Sequence, residues 1–257
     1  MHRSLLIRLG LCVLILLLTA CAGKKAQESL DPTVLWERFC AHTNKDVPYR
    51  VALSLRLGQK GDTRRVTALL WGNTYSPIRL DVMAGVGSIV AKIRRTERQF
   101  LVLSPMESKA YTHEGTNQPR LKLGIPLPFT IQNLAQLVNG AYSEVFGTMA
   151  GANEQLSNTT VRYNLVEPMQ GSLVVNDKGL PLHWQDPKGW VMRFYYAPDN
   201  SLLRLHLENS RGEQFIVFVK ERATPEPFDD EAMTLAIPRS YKVLPLARYA
   251  AQTKKLQ

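Results

Sequence analysis

Tyr49-Arg50-Val51-Ala52-Leu53-Ser54-Leu55-Arg56-Leu57 alternates large apolar residues with small or charged ones without a break. Side chains of a β-strand point to opposite faces in turn, so this period of two describes a strand with one face in a core and the other in water. Outward from it, strands are expected at Arg65 to Trp71, Ile78 to Met83, Ser88 to Arg94, Phe100 to Ser104 and Lys109 to Thr112, each bounded by Gly, Asn, Pro or polar clusters. A second series follows at Val161 to Val166, Gly171 to Val175, Pro181 to Gln185, Val191 to Ala197, Leu202 to Leu207 and Gln214 to Lys220. The turns between them, Asn176-Asp177-Lys178-Gly179, Pro198-Asp199-Asn200 and Asn209-Ser210-Arg211-Gly212, are rich in residues that favour turn geometry. Spacing this close implies antiparallel neighbours.

Two segments change period. Asp31 can cap and Pro32 suits a first helical position, while Leu35/Phe39 and Trp36/Cys40 form two i,i+4 pairs, predicting a helix from Pro32 to about Ala41. After Gly124-Ile125-Pro126-Leu127-Pro128, Thr130 can cap a second helix with Ile131, Leu134, Leu137 and Val138 on one face and Gly140 as its stop. The expectation is a mainly β (α+β) domain: a single strongly curved antiparallel sheet, or unclosed half-barrel, of about eleven strands, its concave face covered by two or more short helices. Two short helices cover only part of such a face, which leaves an apolar groove. The alternative is a groove filled by the chain's own side chains.

The N-terminus carries a separate message. His2, Arg3 and Arg8 precede an apolar run from Leu9 to Leu18, too short for a comfortable mature span. Leu18-Thr19-Ala20-Cys21 then resembles the bacterial lipobox, which implies a signal peptide over 1–20 and diacylglyceryl attachment (with further acyl groups such as palmitate) at Cys21. An ordinary secretory signal cut near Ala20 or Ala22, or an uncleaved anchor, are the other readings, and either still exports the domain. Acyl chains hold a protein to a bilayer through roughly 0.8 kcal/mol per buried CH₂. Residues 21–30 read as a polar lipidated tether, 31–245 as one domain and 246–257 as a basic tail, helical or disordered. Ala22 in place of Asp after the modified cysteine favours the outer membrane, periplasmic face, under the enteric sorting rule.

Of the three cysteines, Cys12 lies in the signal and Cys21 is the lipid site, so Cys40 has no intrachain partner and reads as a small hydrophobe rather than a nucleophile. The chain holds 32 Lys and Arg against 22 Asp and Glu; losing Arg3 and Arg8 leaves a net charge of +8. Anionic lipid or lipopolysaccharide suits that balance, as does plain solvation of strand faces, whereas dispersed charge in an exported chain argues against nucleic acid. No Gly-x-Ser-x-Gly, His-Glu-x-x-His or phosphate-cradling loop is present, and His42, His113, His183 and His206 stand singly. Asp229-Asp230-Glu231 reads as a solvated loop rather than a cation site. The expectation is a non-enzyme without cofactor or metal.

The order of helix, meander, Gly-x-x-Leu-Pro segment, helix and closing hairpins resembles the lipoprotein-localisation family of LolA and LolB, with the lipid anchor matching LolB. Gly124-Ile125-Pro126-Leu127-Pro128 before Leu134, Leu137 and Gly140 is similar to the segment joining the family's two halves. Arg79-Leu80-Asp81-Val82 followed by Gly85-Val86-Gly87-Ser88 is similar to the strand that ends in its protruding loop. Phe228, Leu235, Ile237 and Pro238 approach the family's closing pattern with different spacing. The likeness spans most of residues 31–240 as a low-identity pattern. It implies an acceptor that takes lipoprotein acyl chains, with a periplasmic lipoprotein carrier as the delivering partner, and inserts them at the outer membrane; a monomer is expected. Groove residues under this reading are Val51, Leu53, Leu55, Leu69, Trp71, Leu80, Val82, Leu101, Leu103, Phe194, Tyr196 and Leu205, with Leu134 and Leu137 from the covering helix. Val86, between two glycines, is either a membrane-contact residue or a turn residue folded back on the sheet.

Overall fold

The computed structural model describes residues 31–43, 47–73, 76–85, 87–116, 119–123 and 125–246. Cys21, Val86, Gly124 and the tail from residue 247 lie outside the described residues.

Helix α1 (Pro32–Cys40) leads into strands β1 (Pro48–Gln59), β2 (Asp62–Asn73), β3 (Ile78–Ala84), β4 (Ser88–Arg95), β5 (Gln99–Ser104) and β6 (Lys109–Glu114). Helices α2 (Ile131–Val138) and α3 (Tyr142–Phe146) follow, then β7 (Ala150–Ser157), β8 (Thr160–Leu165), β9 (Gly171–Asn176), β10 (Pro181–Gln185), β11 (Trp190–Tyr196), β12 (Leu202–Asn209) and β13 (Glu213–Ala223). The one-turn helix α4 (Asp230–Met233) and strand β14 (Lys242–Pro245) end the described chain. Fourteen strands join one open sheet in the order β14-β6-β5-β4-β3-β2-β1-β13-β12-β11-β10-β9-β8-β7, and two-residue strands at Lys122–Leu123 and Ile125–Pro126 pair separately. Every pairing is antiparallel except β14 with β6.

The sheet therefore has fourteen strands rather than about eleven. Strand β7, Ala-Gly-Ala-Asn-Glu-Gln-Leu-Ser, is exposed along nearly its whole length, so no alternation betrays it. Strand β14 is only four residues long and pairs parallel to a strand far away in sequence. Neither leaves a periodic trace.

Helix starts follow local chemistry. The Asp31 carboxylate accepts from Thr33 N at 2.8 Å, satisfying one unpaired donor of the first turn of α1. Thr130 and Asn133 form a reciprocal capping box at the start of α2: Asn133 N donates to Thr130 Oγ1 at 3.2 Å, and Thr130 N to Asn133 Oδ1 at 3.0 Å. Gly140 adopts φ +81° just past the end of α2, where an L side chain would be strained.

The register assigns the faces. Leu55 of β1 stands opposite Val217 of β13, which stands opposite Leu205 of β12, which stands opposite Phe194 of β11. On the other side Val51 faces Leu70, Leu70 faces Leu80, and Leu80 faces Ile93. Directly paired residues share a face, so these side chains form one apolar concave surface. It is the main core.

Candidate functional site: the concave face and its cover

Val51, Leu53, Leu55, Leu80, Val82, Phe194 and Leu205 all lie on the concave face, each no more than 5% exposed. Leu134 and Leu137 of α2 press on it and are fully buried. Tyr196, beyond a register shift between Tyr195 and Tyr196, packs at the margin of the same core.

Four of the expected groove residues lie elsewhere. Leu69 pairs with Ala52, Trp71 with Arg50 and Arg79, Leu101 with Arg94, and Leu103 with Lys92, which places all four on the convex face. The reason is visible in the runs Ala68-Leu69-Leu70-Trp71 and Phe100-Leu101-Val102-Leu103, which are apolar at every position and carry no parity. Strands covered on both faces read this way. For Leu101 and Leu103 the second cover is the segment after β13, which crosses the outside of the sheet to reach β6. Arg79 Nη1 donates to Ala232 O at 2.9 Å and Thr234 O at 3.1 Å, and Arg94 Nε donates to Met233 O at 2.8 Å. Leu235 and Tyr241 then pack on Leu101, Leu103 and Ala110. A cleft of about 650 Å³ remains between this strap and the sheet, lined by Ile89, Lys92, Leu103, Pro105 and Leu235 among others.

The concave face is sealed more fully than two helices allow. Leu121, Ile125, Leu127 and Phe129 of the Pro-rich segment are all buried in the core, so this connection is itself part of the cover. The short helix α3 adds Tyr142, Val145 and Phe146. Its rings meet those of the sheet edge to face: Tyr142 to Phe194 at 5.9 Å and Phe146 to Phe194 at 6.1 Å between centroids. Phe129 approaches Phe215 at 6.1 Å.

Helix α1 closes the end near β8 to β10. Trp36 stacks on Phe39 at 4.7 Å and tilts against Tyr163 at 4.7 Å, while its Nε1 donates to Thr148 O at 2.9 Å. Tyr163 OH donates to Pro32 O at 2.6 Å, and Arg38 Nη1 to Asp177 O at 2.8 Å. Cys40 is half-buried against the core with its Sγ 3.8 Å from Thr148 O. Burial, with the Glu37 charge nearby, pushes its thiol pKa up, which disfavours the nucleophilic thiolate.

Few polar ties hold α2 and α3 to the rest. Ser143 Oγ donates to His42 O at 3.0 Å. Arg222 Nη2 and Nε donate to Val138 O at 3.1 and 3.2 Å, and Nη2 also reaches Leu202 O. The Tyr142 and Tyr196 rings meet edge to face at 6.3 Å between centroids, and Tyr196 OH donates to Pro181 O at 2.6 Å. Burial pushes the Tyr142 hydroxyl up to about 12 and the Tyr196 hydroxyl higher still, so both stay protonated in the physiological range. Among the described residues no group of three or more His, Cys, Asp or Glu could hold a metal ion, and no helix is long and apolar enough to cross a membrane.

No protein-family model and no curated protein matches the chain. Solved structures do. A LolA superfamily protein from Nitrosomonas europaea superposes with a TM-score of 0.56 at 10% identity, covering 80% of this chain and 99% of that one. A putative outer membrane lipoprotein-sorting protein domain from Vibrio parahaemolyticus superposes with a TM-score of 0.52 at 8% identity, covering 78% of this chain and 95% of that one. A DUF1329 family protein from Desulfovibrio piger gives 0.52 at 8% identity, covering 80% and 98%. With its open curved sheet and short helices on the concave face, this chain has a LolA/LolB-like fold.

Proposed function

We propose that this chain is a non-catalytic envelope lipoprotein that takes acyl chains onto its concave face, as a LolB-like acceptor, when the cover of residues 121–146 moves aside. The observation that carries this reading is the make-up of the interface: a continuous aliphatic and aromatic concave surface meets a cover that is not part of the sheet. A chain of about fourteen methylenes gains roughly 11 kcal/mol on leaving water at about 0.8 kcal/mol each. Burial of Leu134, Leu137, Tyr142 and Phe146 is worth about 1.5–3 kcal/mol per side chain, so an acyl chain that displaces these four, and not the whole cover, competes with them on nearly equal terms. Near-balance suits a carrier, which must release what it holds.

Lipidation of Cys21 and the tether 21–30 keep this domain at the periplasmic face of the outer membrane in the proposed arrangement. Val86, which falls between β3 and β4 in the sequence, is the proposed contact with the bilayer; Val86→Glu then lowers lipid transfer in a reconstituted assay. Likeness in fold to an outer membrane lipoprotein-sorting domain supports the reading.

A second reading has its own observation. The core of the concave face, with Val51, Leu53, Leu55, Leu80, Phe194 and Leu205, is already buried, as in an interaction lipoprotein whose groove is permanently filled. Displacement of a fluorescent fatty acid from a soluble form lacking Cys21 separates the two. Saturable binding is expected for the acyl carrier. Absence of binding, both in the wild type and in a variant with a loosened cover, establishes the filled-groove protein instead.

A further inference from the structure

The strap after β13 leaves the middle of the convex face bare, and that middle is cationic. Strands β1 and β13 are the two central strands of the fourteen, so they form the crown of the curved sheet. Across the crown, Arg65, Arg56, Ile216, His206 and Arg193 stand side by side on five adjacent strands. The neighbouring row holds Ser54, Phe218, Arg204 and Tyr195, with exposed Lys220 beyond it.

Three cations converge on one ring. Arg56 and Arg204 each place their guanidinium carbon 5.8 Å from the Phe218 centroid, and Lys220 Nζ lies at 5.7 Å. Arg204 also stacks on Tyr195 at 3.7 Å, and its buried Nε has no hydrogen-bond partner. Among the described residues, none of Arg56, Arg65, Arg204 and Lys220 forms an ion pair with a carboxylate. Two acids share the face without pairing with these four cations: Glu208 is engaged by Arg193 at 2.5 Å, and Glu221, opposite Ala52, sits just beyond Lys220 past a shift in register. Like charges gathered this closely repel one another, and the ring quadrupole offsets only part of that. An external anion removes the rest.

We infer that this crown docks onto the anionic lipid headgroups of the membrane. A flat surface meets a curved sheet first at its crown, where phosphates can sit among Arg56, Arg204 and Lys220 while Phe218 and Tyr195 occupy headgroup depth. The proposal rests on the membrane anchoring read at Cys21, and is independent of acyl binding in the groove.

The test is flotation of the Cys21-less soluble chain with vesicles of phosphatidylcholine alone and of an equimolar phosphatidylcholine–phosphatidylglycerol mixture, across a salt series. Binding is expected only to the anionic vesicles and falls as salt rises. Arg56→Ala weakens partitioning about fivefold and Arg56→Ala/Arg204→Ala at least about twentyfold, following the worth of each basic residue at an anionic surface. The double Arg→Lys variant restores most of the binding, and Lys242→Ala at the sheet edge leaves it unchanged. Equal binding to both vesicle types, or undiminished binding by the double alanine variant with an unaltered melting temperature, overturns the proposal. Fatty-acid displacement on the same variants stays as in the wild type, so failure here and failure of the acyl reading are told apart.

Discussion

Arg222, at the end of β13, caps the last turn of α2 through Val138: two nitrogens of one guanidinium reach the Val138 main-chain oxygen at 3.1 and 3.2 Å. The same group reaches Leu202 O at the start of β12, so one side chain bridges the cover and the sheet. A helix C-terminus leaves carbonyls unpaired and carries partial negative charge, which a guanidinium satisfies on both counts. Hydrogen bonds to a charged group contribute about 1.5–3 kcal/mol when buried, and less where water competes. Arg222→Ala is expected to lower stability by about 1 kcal/mol and to speed amide exchange across residues 131–146 before any other element. If the cover is the gate, the same variant binds fluorescent fatty acid faster than the wild type.

The turn between β9 and β10 sets the seat of α1. A Cβ on Gly179 would lie 2.7 Å from Arg38 C and 2.8 Å from Phe39 N, and the residue has φ +77°. Gly179→Ala should therefore cost about 2 kcal/mol or more, combining the left-handed backbone penalty with a clash against main-chain atoms. Urea unfolding measures the loss. A red shift of tryptophan emission at low urea identifies α1 as the element that lifts, because Trp36 loses its stack on Phe39 and Tyr163.

Two histidines on the convex face make stability depend on pH. Burial, reinforced by Arg193 and Arg162, holds the His183 pKa below its ordinary 6.5. Burial also lowers that of His206, with Glu208 opposing and Arg193 adding to the effect. The unfolded chain then binds more protons than the folded one, so stability is full above pH 6.5 and falls as pH drops below it. Carboxylates such as Glu208, held low by Arg193, contribute to acid unfolding only in a more acid range. Melting temperatures from pH 7.5 to 5 should fall in the wild type and flatten in His183→Gln/His206→Gln. A slope unchanged in the double variant contradicts the assignment.

The two faces of the sheet make opposite predictions for fatty-acid binding. Leu103→Ala removes packing under the strap and should cost about 2–4 kcal/mol while leaving fatty-acid affinity unaltered. Leu80→Trp, on the concave face opposite Leu70 and Ile93, fills the space an acyl chain needs and should abolish binding. Calorimetric stability and fatty-acid titration on the same two proteins check both halves.

Much of this architecture was legible because alternation survives wherever one face meets water. Residues 49–57 gave their face directly, and strand β10 was expected over Pro181–Gln185, the range observed. Asp31, Thr130 and Gly140 marked the helix ends through the same capping chemistry the structure uses. Legibility failed where both faces are covered, since Leu69, Trp71, Leu101 and Leu103 sit in uninterrupted apolar runs whose parity only the register can settle. It failed again for β7, which buries almost nothing. The seal over the groove was missed for a different reason: Leu121, Ile125, Leu127 and Phe129 lie in a Pro-rich segment whose only strands, Lys122–Leu123 and Ile125–Pro126, are too short to show a period. The crown of cations was visible only as dispersed arginines until pairing brought Arg56, Arg65 and Arg204 together.

The central claim, that hydrocarbon enters between the concave face and its cover, is tested most directly by photocrosslinking a diazirine-bearing fatty acid to the Cys21-less protein and mapping the adducts by mass spectrometry. Adducts on Leu53, Leu80, Phe194 and the helix residues Leu134 and Leu137 are predicted, and Leu80→Trp should remove them. Adducts confined to the strap cleft around Leu103 and Leu235, or none above the level of unfolded protein, would contradict the account.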